Sequence, residues 1–292
     1  MAAFDIAVLG TGTMGTAFVR RLLGAGMQVR VWDRSPAAIE RLGDDRSRVQ
    51  VASSPEDAVR GADVVLTMVP TIASLEETMP RALAAMRSGA IWLQMSTIGV
   101  EGTERAIALA AEHGPGVQFV DAPVSGSKGV AEQGALLILA SGAPAALDTL
   151  QPVFAALGKK TIRWDQPGTG SRMKLVLNTW LAILGEGIAE TAALAQSLGL
   201  ALSDVSACLA STALNAPWAL AKLDRIEHDA FDPDFSLALA AKDLHLAIDE
   251  AQRRHQQLPA ADSVAGQWDR ALAAGFGDRD VVGAYLALTP QR

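Results

Sequence analysis

The chain has a single cysteine, Cys208, in 292 residues, so it forms no internal disulfide and no thiolate cluster around a metal, which suits a reducing compartment. Standing alone in "SDVSACLAST", Cys208 reads as a helix-packing residue rather than a nucleophile. Histidine is also scarce: His113, His228, His245 and His255 show no metal-ligand spacing and no positional pairing with a serine or cysteine nucleophile. No metal site is expected. Basic charge is in the minority, 25 lysines and arginines against 32 carboxylates, for a formal net charge of -7. Such a balance repels phosphate backbones and acidic lipid, so neither nucleic acid nor membrane is an expected partner, and a small molecule or another copy of the chain is. No run reaches the ~18 uncharged apolar residues of a membrane span. The opening "MAAFDIAVLG" lacks a basic segment and is too short for a signal sequence's apolar region, so the expected location is cytoplasmic.

Apolar bulk is plentiful. Half the residues are hydrophobic and a fifth charged, enough for two cores in a chain of this length. Through the first half, the short runs "FDIAVLG", "QVRVWD", "VQVAS", "DVVLTMVP", "AIWLQMS", "VQFVDAP" and "LLILASG" alternate with helical patterns, the signature of a mostly parallel sheet wrapped by helices. Strand signals stop near residue 169, where "KLVLNTWLAILGEGIAETAALAQSLGL" reads as one long helix of roughly 25 to 30 residues ending near Gly199. Helical patterns follow in "LSDVSACLAST", "PWALAKL" and "SLALAAKDLHLAIDEAQRRH", with two shorter ones after Pro259. The expected architecture is an α/β domain of the Rossmann type over 1–163, then an all-α domain over 164–292, joined by the long helix.

"IAVLGTGTMGTAFVRRLL" places Gly10, Gly12 and Gly15 between a strand and a helix. In a dinucleotide-binding turn the first glycine permits the tight bend and the second lets the backbone approach the pyrophosphate. The third lets the helix sit close to the strand, and the phosphates meet the helix N-terminus formed here by Thr11, Thr13 and Met14. A second strand delivers Asp33 about 20 residues on, the acidic residue that receives the adenine ribose hydroxyls and favours NAD. Arg34 and Ser35 argue the other way, since a guanidinium and a hydroxyl can hold a 2′-phosphate. Ser35 is equally explained as a helix N-cap ahead of Pro36. The cofactor is NAD(P), with the balance on NAD.

"DAPVSGSKGVAEQG" leaves a strand and enters a turn of small residues, where Ser125 with the amides of Gly126 and Ser127 suits a carboxylate. An ordinary loop of small residues explains the same stretch. At 100° per residue Lys174, Asn178, Leu181 and Gly185 fall within about 60° of one another, so a lysine and an amide share one stripe of the long helix.

Taken together these segments resemble the β-hydroxyacid dehydrogenases, the family of 3-hydroxyisobutyrate dehydrogenase, tartronate semialdehyde reductase and the glyoxylate/succinic semialdehyde reductases. "GTGTMG", "VP" at Val69 and Pro70, "STI" at 96–98, "DAPVSG", "GTGSRMKLVLN" and "KDLHLA" at 242–247 stand in the family's order and spacing over nearly the whole chain. The resemblance implies that Lys174 is the catalytic lysine, that Asn178 and the Ser125–Gly126 turn bind substrate, and that Val69, Pro70, Ser96, Thr97 and Lys242 lie along the cofactor. Asp243, outside the apolar stripe of its helix, is grouped with the substrate residues as a partner for a neighbouring cation or an orienter of Lys242. The implied reaction interconverts a small β-hydroxy acid and its semialdehyde or keto acid. Hydride goes to or from the dinucleotide, and Lys174, its pKa lowered by desolvation and by Lys242, carries the proton. The implied partners are a small carboxylated substrate and a homodimer or homotetramer.

Two departures stand out: Ser127 and Lys128 follow the glycine where the family usually has a second glycine, and "STIGVEG" lacks the proline common after "STI". Both bear on substrate rather than on reaction type. Imine reductases generally carry aspartate or tyrosine at the lysine position, and 6-phosphogluconate dehydrogenases have histidine where this chain has Leu177. A dinucleotide sensor would need neither Lys174 nor Asn178.

Overall fold

The computed structural model describes residues 4–288. Among these residues nine strands form one sheet: β1 Asp5–Leu9, β2 Gln28–Trp32, β3 Gln50–Val51, β4 Val64–Thr67, β5 Ile91–Gln94, β6 Gln118–Asp121, β7 Val124–Ser125, β8 Leu136–Ser141 and β9 Gly158–Trp164. The order β3-β2-β1-β4-β5-β6 is parallel throughout, and the chain direction across the sheet reverses between β1 and β4. In open parallel sheets ligands bind outside the carboxyl ends of the strands at such a reversal. Every residue of β4 and β5 is buried, as expected where helices cover both faces. The two-residue period shows in the packing: Ile6 and Val8 join one core with Leu66 and Leu93, while Ala7 and Leu9 join another with Val65 and Trp92.

All seven anticipated strands are present, and two more are. β7 and β9 flank β8, which runs antiparallel to β6 and β7 and parallel to β9. β7 is only two residues long, and β9, "GKKTIRW", is a largely polar edge strand, so neither offers the apolar run that marks a buried strand.

The helix Thr169–Ser197 has 29 residues. It ends in a Schellman turn, with the N–H of Gly199 donating to Gln196 at 3.0 Å and that of Leu200 to Ala195 at 2.9 Å. Gly199 has φ +74, which is why a glycine stands there. The chain divides into two compact units, Met1–Lys174 and Leu175–Arg292, and the division falls within this helix. The second unit contains the helices Leu202–Ala210, Pro217–Glu227, Leu237–Arg253 and Pro259–Ala273 and the 3₁₀ helix Val281–Ala287. The last two are the pair of shorter helices expected after Pro259, the second of them 3₁₀ rather than α. Cys208 lies exposed on its helix, not packed, because Leu202 is the buried residue of that segment. No described helix is long and apolar enough to cross a membrane.

The core of the second unit gathers Leu223, Leu237, Leu244, Trp268 and Val282. A buried ion pair and a buried carboxyl are built into it. Lys222 Nζ donates to both carboxylate oxygens of Asp280, at 2.7 and 2.9 Å, and Asp280 also accepts the N–H of Asp234 at 3.1 Å. Glu186 is 4% exposed. One of its oxygens accepts from Trp268 Nε1 at 2.9 Å, and the other has no hydrogen-bond partner. Burial, with Glu190 nearby, pushes its carboxyl from an ordinary 4.5 up to about 7. The folded state therefore holds this proton more tightly than the unfolded chain. The stability it lends is complete below about pH 4.5 and is lost as pH rises through about 7. Glu186→Gln is expected to raise the melting temperature relative to the parent by about 2–4 °C above neutrality and to leave it nearly unchanged near pH 4.5. Parallel pH-dependent melting curves check this, and a constant offset would assign the effect to packing.

Candidate active site

The glycine-rich turn joins β1 to the helix Thr13–Gly24, and two of its glycines are required by the chain itself. Gly10 has φ +102, and a Cβ there would lie 2.3 Å from the Met68 carbonyl oxygen; a Cβ on Gly15 would lie 1.9 Å from the Gly10 carbonyl oxygen. Both are packed backbone against backbone. Gly12 differs, since a Cβ there would meet nothing within 4 Å. It occupies the N-cap with no side-chain cap, so the first amides of the helix, from Thr13 and Met14, have no intrahelical acceptor. Thr13 is exposed and Met14 half-buried.

Asp33, at the end of β2, ties this turn down. One carboxylate oxygen accepts the Thr11 N–H at 2.7 Å and the other accepts the Ser35 N–H at 2.8 Å. The Ser35 hydroxyl makes no capping bond to the short helix that follows. Arg34 donates to Glu77 at 2.7 Å, with both side chains largely exposed. Gly10, Gly12, Asp33, Arg34, Val69 and Pro70 help line a cavity of about 210 Å³ at the carboxyl ends of β1, β2 and β4. Its position at the sheet reversal, beside bare amides and an open glycine, fits a dinucleotide.

Ser96 stands slightly apart. It is fully buried, its hydroxyl accepts the Val69 N–H at 2.8 Å, and Gln94 brackets its backbone by accepting from its N–H at 2.6 Å and donating to its carbonyl at 2.9 Å. Ser96 thus clamps the ends of β4 and β5 together, and Thr97, half-buried, follows it.

In the second turn, Ser125 ends β7 and Gly126 has φ +141, where a Cβ would press on Leu136 and Val130 at 2.7 and 2.9 Å. Ser127 has φ -86, so the position where the family usually has a second glycine needs no left-handed conformation here. Lys128 is exposed and lies 3.9 Å from Glu132.

Lys174 and Asn178, one turn apart on the long helix, are 9% and 4% exposed. Asn178 Nδ2 donates to Asp243 at 2.6 Å, and the other oxygen of Asp243 lies 2.8 Å from Lys242 Nζ. Asp243, itself buried, therefore pairs with the neighbouring cation and also fixes the amide. On the surface, Asp224, Glu227 and His228 bring ligand atoms within 4.8 Å of one another, and the Asp224 carbonyl already engages His228 Nδ1 at 2.9 Å.

Sequence reading missed four contributors. Glu77 pairs with Arg34 from a helix 43 residues away, Gln94 and Asp121 look like ordinary strand residues, and Ser171 sits in a small-residue run. For Asp121 the available signal was a carboxylate at the end of an apolar strand.

A described glycine turn, an acidic residue after β2 and an open parallel sheet define a dinucleotide-binding protein. The sequence also matches the NAD-binding domain of 6-phosphogluconate dehydrogenase over residues 5–165, and the NAD-binding domain of NADP-dependent 3-hydroxyisobutyrate dehydrogenase over residues 168–288. It is 30% identical to glyoxylate/succinic semialdehyde reductase 1 of Arabidopsis thaliana, over 94% of this chain and 95% of that one. It is 32% identical to an NAD-dependent L-serine dehydrogenase of Pseudomonas aeruginosa, over 94% and 95%. The solved structure of Mycobacterium tuberculosis 3-hydroxyisobutyrate dehydrogenase with L-serine superposes with a TM-score of 0.88 at 31% identity, over 99% of this chain and all of that one. The chain belongs to the β-hydroxyacid dehydrogenase family of NAD(P)-dependent oxidoreductases.

The glycine geometry separates two kinds of substitution. Gly12→Ala is expected to keep the melting temperature and lose at least about tenfold in NADH affinity, whereas Gly15→Ala loses stability outright. Thermal melts combined with fluorescence titration of NADH distinguish them. Equal melting losses in both variants would contradict the open space at Gly12.

Proposed function

We propose that the chain reduces a small carboxylated aldehyde or keto acid to its β-hydroxy acid, and runs the reverse oxidation, with NAD(H) preferred and Lys174 as the proton carrier. The bound nicotinamide supplies or accepts the hydride. In reduction the Lys174 ammonium donates to the carbonyl oxygen as negative charge grows there. In oxidation the neutral amine takes the hydroxyl proton. Asn178, restrained by Asp243, offers its remaining amide groups to the substrate oxygen or to the lysine. Ser125 and the amides of Gly126 and Ser127 receive the carboxylate, and Lys242 lies along the cofactor. In this reading residues 1–163 serve the cofactor and 164–292 serve substrate and self-association.

One observation carries the reading: a nearly buried ammonium and a buried amide, pinned from a second helix, stand one turn apart on the same helix face. A sensor has no use for that pair. The NAD preference rests on Asp33, which would face a 2′-phosphate, and on Glu77, which already neutralises the Arg34 guanidinium beside it. An apolar ridge of Met173, Val176, Trp180, Leu194 and Leu198 is exposed along the long helix, and we assign it to a homodimer or homotetramer contact.

The test is nicotinamide absorbance with NADH and with NADPH against glyoxylate, succinic semialdehyde, methylmalonate semialdehyde, tartronate semialdehyde and a cyclic imine. Turnover of a carboxylated aldehyde is expected. Turnover of the imine alone, or tight dinucleotide binding with no turnover at all, would replace the reading with an imine reductase or a sensor. Lys174→Ala is expected to lower kcat by about 10²–10⁴ while keeping dinucleotide affinity; unchanged turnover would remove Lys174 from the mechanism. Glu77→Gln, which frees Arg34, is expected to move the NADPH to NADH ratio of kcat/KM upward by about tenfold. A ratio that does not move would show that Glu77 has no part in cofactor choice.

A further inference from the structure

The buried polar cluster at the start of the long helix does work that the reaction as described does not use. Asp121, at the end of β6, is fully buried. One of its oxygens accepts the Ser171 N–H at 2.8 Å and the Ser141 hydroxyl at 3.1 Å, and the other accepts the Ser171 hydroxyl at 2.7 Å. Ser141 Oγ, on β8, accepts the Gly170 N–H at 3.0 Å. Thr103 Oγ1 lies 3.0 Å from Ser171 Oγ and closes the cluster from a third element, the helix Gly99–His113. A Cβ on Gly170 would fall 2.1 Å from the Leu139 carbonyl oxygen, so the first turn of the helix is pressed onto β8. Two successive first-turn amides, which no helix can satisfy internally, are thus held by side chains of the sheet.

Lys174 is three residues beyond Ser171, on the next turn. A helix is stiff over that distance, so fixing Ser171 in position and rotation fixes where the Lys174 side chain begins. A charged acceptor holds a backbone amide about twice as strongly as a neutral one, and its negative charge also suits the positive end of the helix dipole. We propose that Asp121 is a positioning residue for Lys174: as a buried carboxylate it locks the first turn of the long helix to the sheet and so sets the aim of the proton donor. This rests on Lys174 being that donor, as proposed above.

The groups facing Asp121 are the Ser141 hydroxyl from β8, the Ser171 amide and hydroxyl from the long helix, and the charge of Arg172 on the same helix. Arg172 and the hydrogen bonds favour the carboxylate, but burial outweighs them and raises its pKa from an ordinary 3.8 to about 6. Protonation removes acceptor capacity from the lock, so aim is lost as pH falls through about 6.

The experiment measures kcat, KM and the pH profile of kcat for the parent, Asp121→Asn, Ser171→Ala and Lys174→Ala, each normalised to sites titrated with NADH. Asp121→Asn is expected to lower kcat and kcat/KM together by about 10- to 100-fold, the scale of a misplaced catalytic group, with KM and NADH affinity little changed. The acid limb of the parent's profile near pH 6 should be absent in this variant. Ser171→Ala, which keeps the charge and loses one of the three hydrogen bonds to it along with the Thr103 contact, should fall less and retain the limb. If Asp121→Asn does not fold, a normal kcat in Ser171→Ala would overturn the proposal and a reduced kcat at unchanged KM would sustain it. A purely structural role would reduce the number of titratable sites and leave kcat per site and its pH profile alone. Turnover lost in Lys174→Ala but untouched in Asp121→Asn would overturn the positioning role alone. Turnover retained in Lys174→Ala would remove the reading beneath it.

Discussion

One buried carboxylate joins the sheet to the long helix on which Lys174 and Asn178 stand. Asp121 costs desolvation free energy at the end of β6, and three donors offset that cost: the Ser171 amide, the Ser171 hydroxyl and the Ser141 hydroxyl. A carboxyl in an apolar slot without those donors would be neutral and would hold nothing. With them it anchors a helix that a stretch of apolar residues could not hold in one rotation, because apolar contacts are non-directional. The same arrangement explains why Gly170 precedes Ser171, since only a residue without a side chain fits against β8 at that height.

Asp33 plays a comparable part at the other end of the sheet. Its oxygens already accept from Thr11 and Ser35, so the acidic residue proposed to meet the ribose also shapes the turn proposed to meet the phosphates. Removing its charge changes the pocket's wall as well as its electrostatics. Glu77 and Arg34 carry no such structural duty, being exposed and paired mainly with each other. Charge selectivity at that end can therefore be read more cleanly from Glu77 than from Asp33.

Much of this was legible in the sequence because it depends on local pattern. Seven strands, the glycine turn, the long helix and its terminating Gly199 all follow from periodicity and from residues with one conformational use. β9 escaped because an edge strand that opens on two adjacent lysines lacks an apolar run, and β7 because two residues carry no pattern. Buried partnerships across the fold escaped for another reason. Asp121 to Ser171 spans 50 residues, Asn178 to Asp243 spans 65, and Glu186 to Trp268 spans 82. No spacing rule relates such positions, and only the register of strands and helices brings them together. Asp243 lies 2.8 Å from Lys242, its neighbour in sequence, but its hold on Asn178 required the second helix.

The glycines show how structure separates the demands of the chain from those of a ligand. Gly10, Gly15, Gly126 and Gly170 each have protein atoms where a Cβ would go, so folding alone accounts for them and they say nothing about what binds. Gly12 has an ordinary negative φ of -62 and open space around it. Alanine would satisfy the chain there. Open glycines occur elsewhere too, Gly24 and Gly129 among them, so emptiness by itself has no meaning. At Gly12 it coincides with bare helix amides, a cavity wall and the reversal point of the sheet. Three independent features agree there on an anion that must approach the backbone closely, and the reason for the glycine then lies outside the chain.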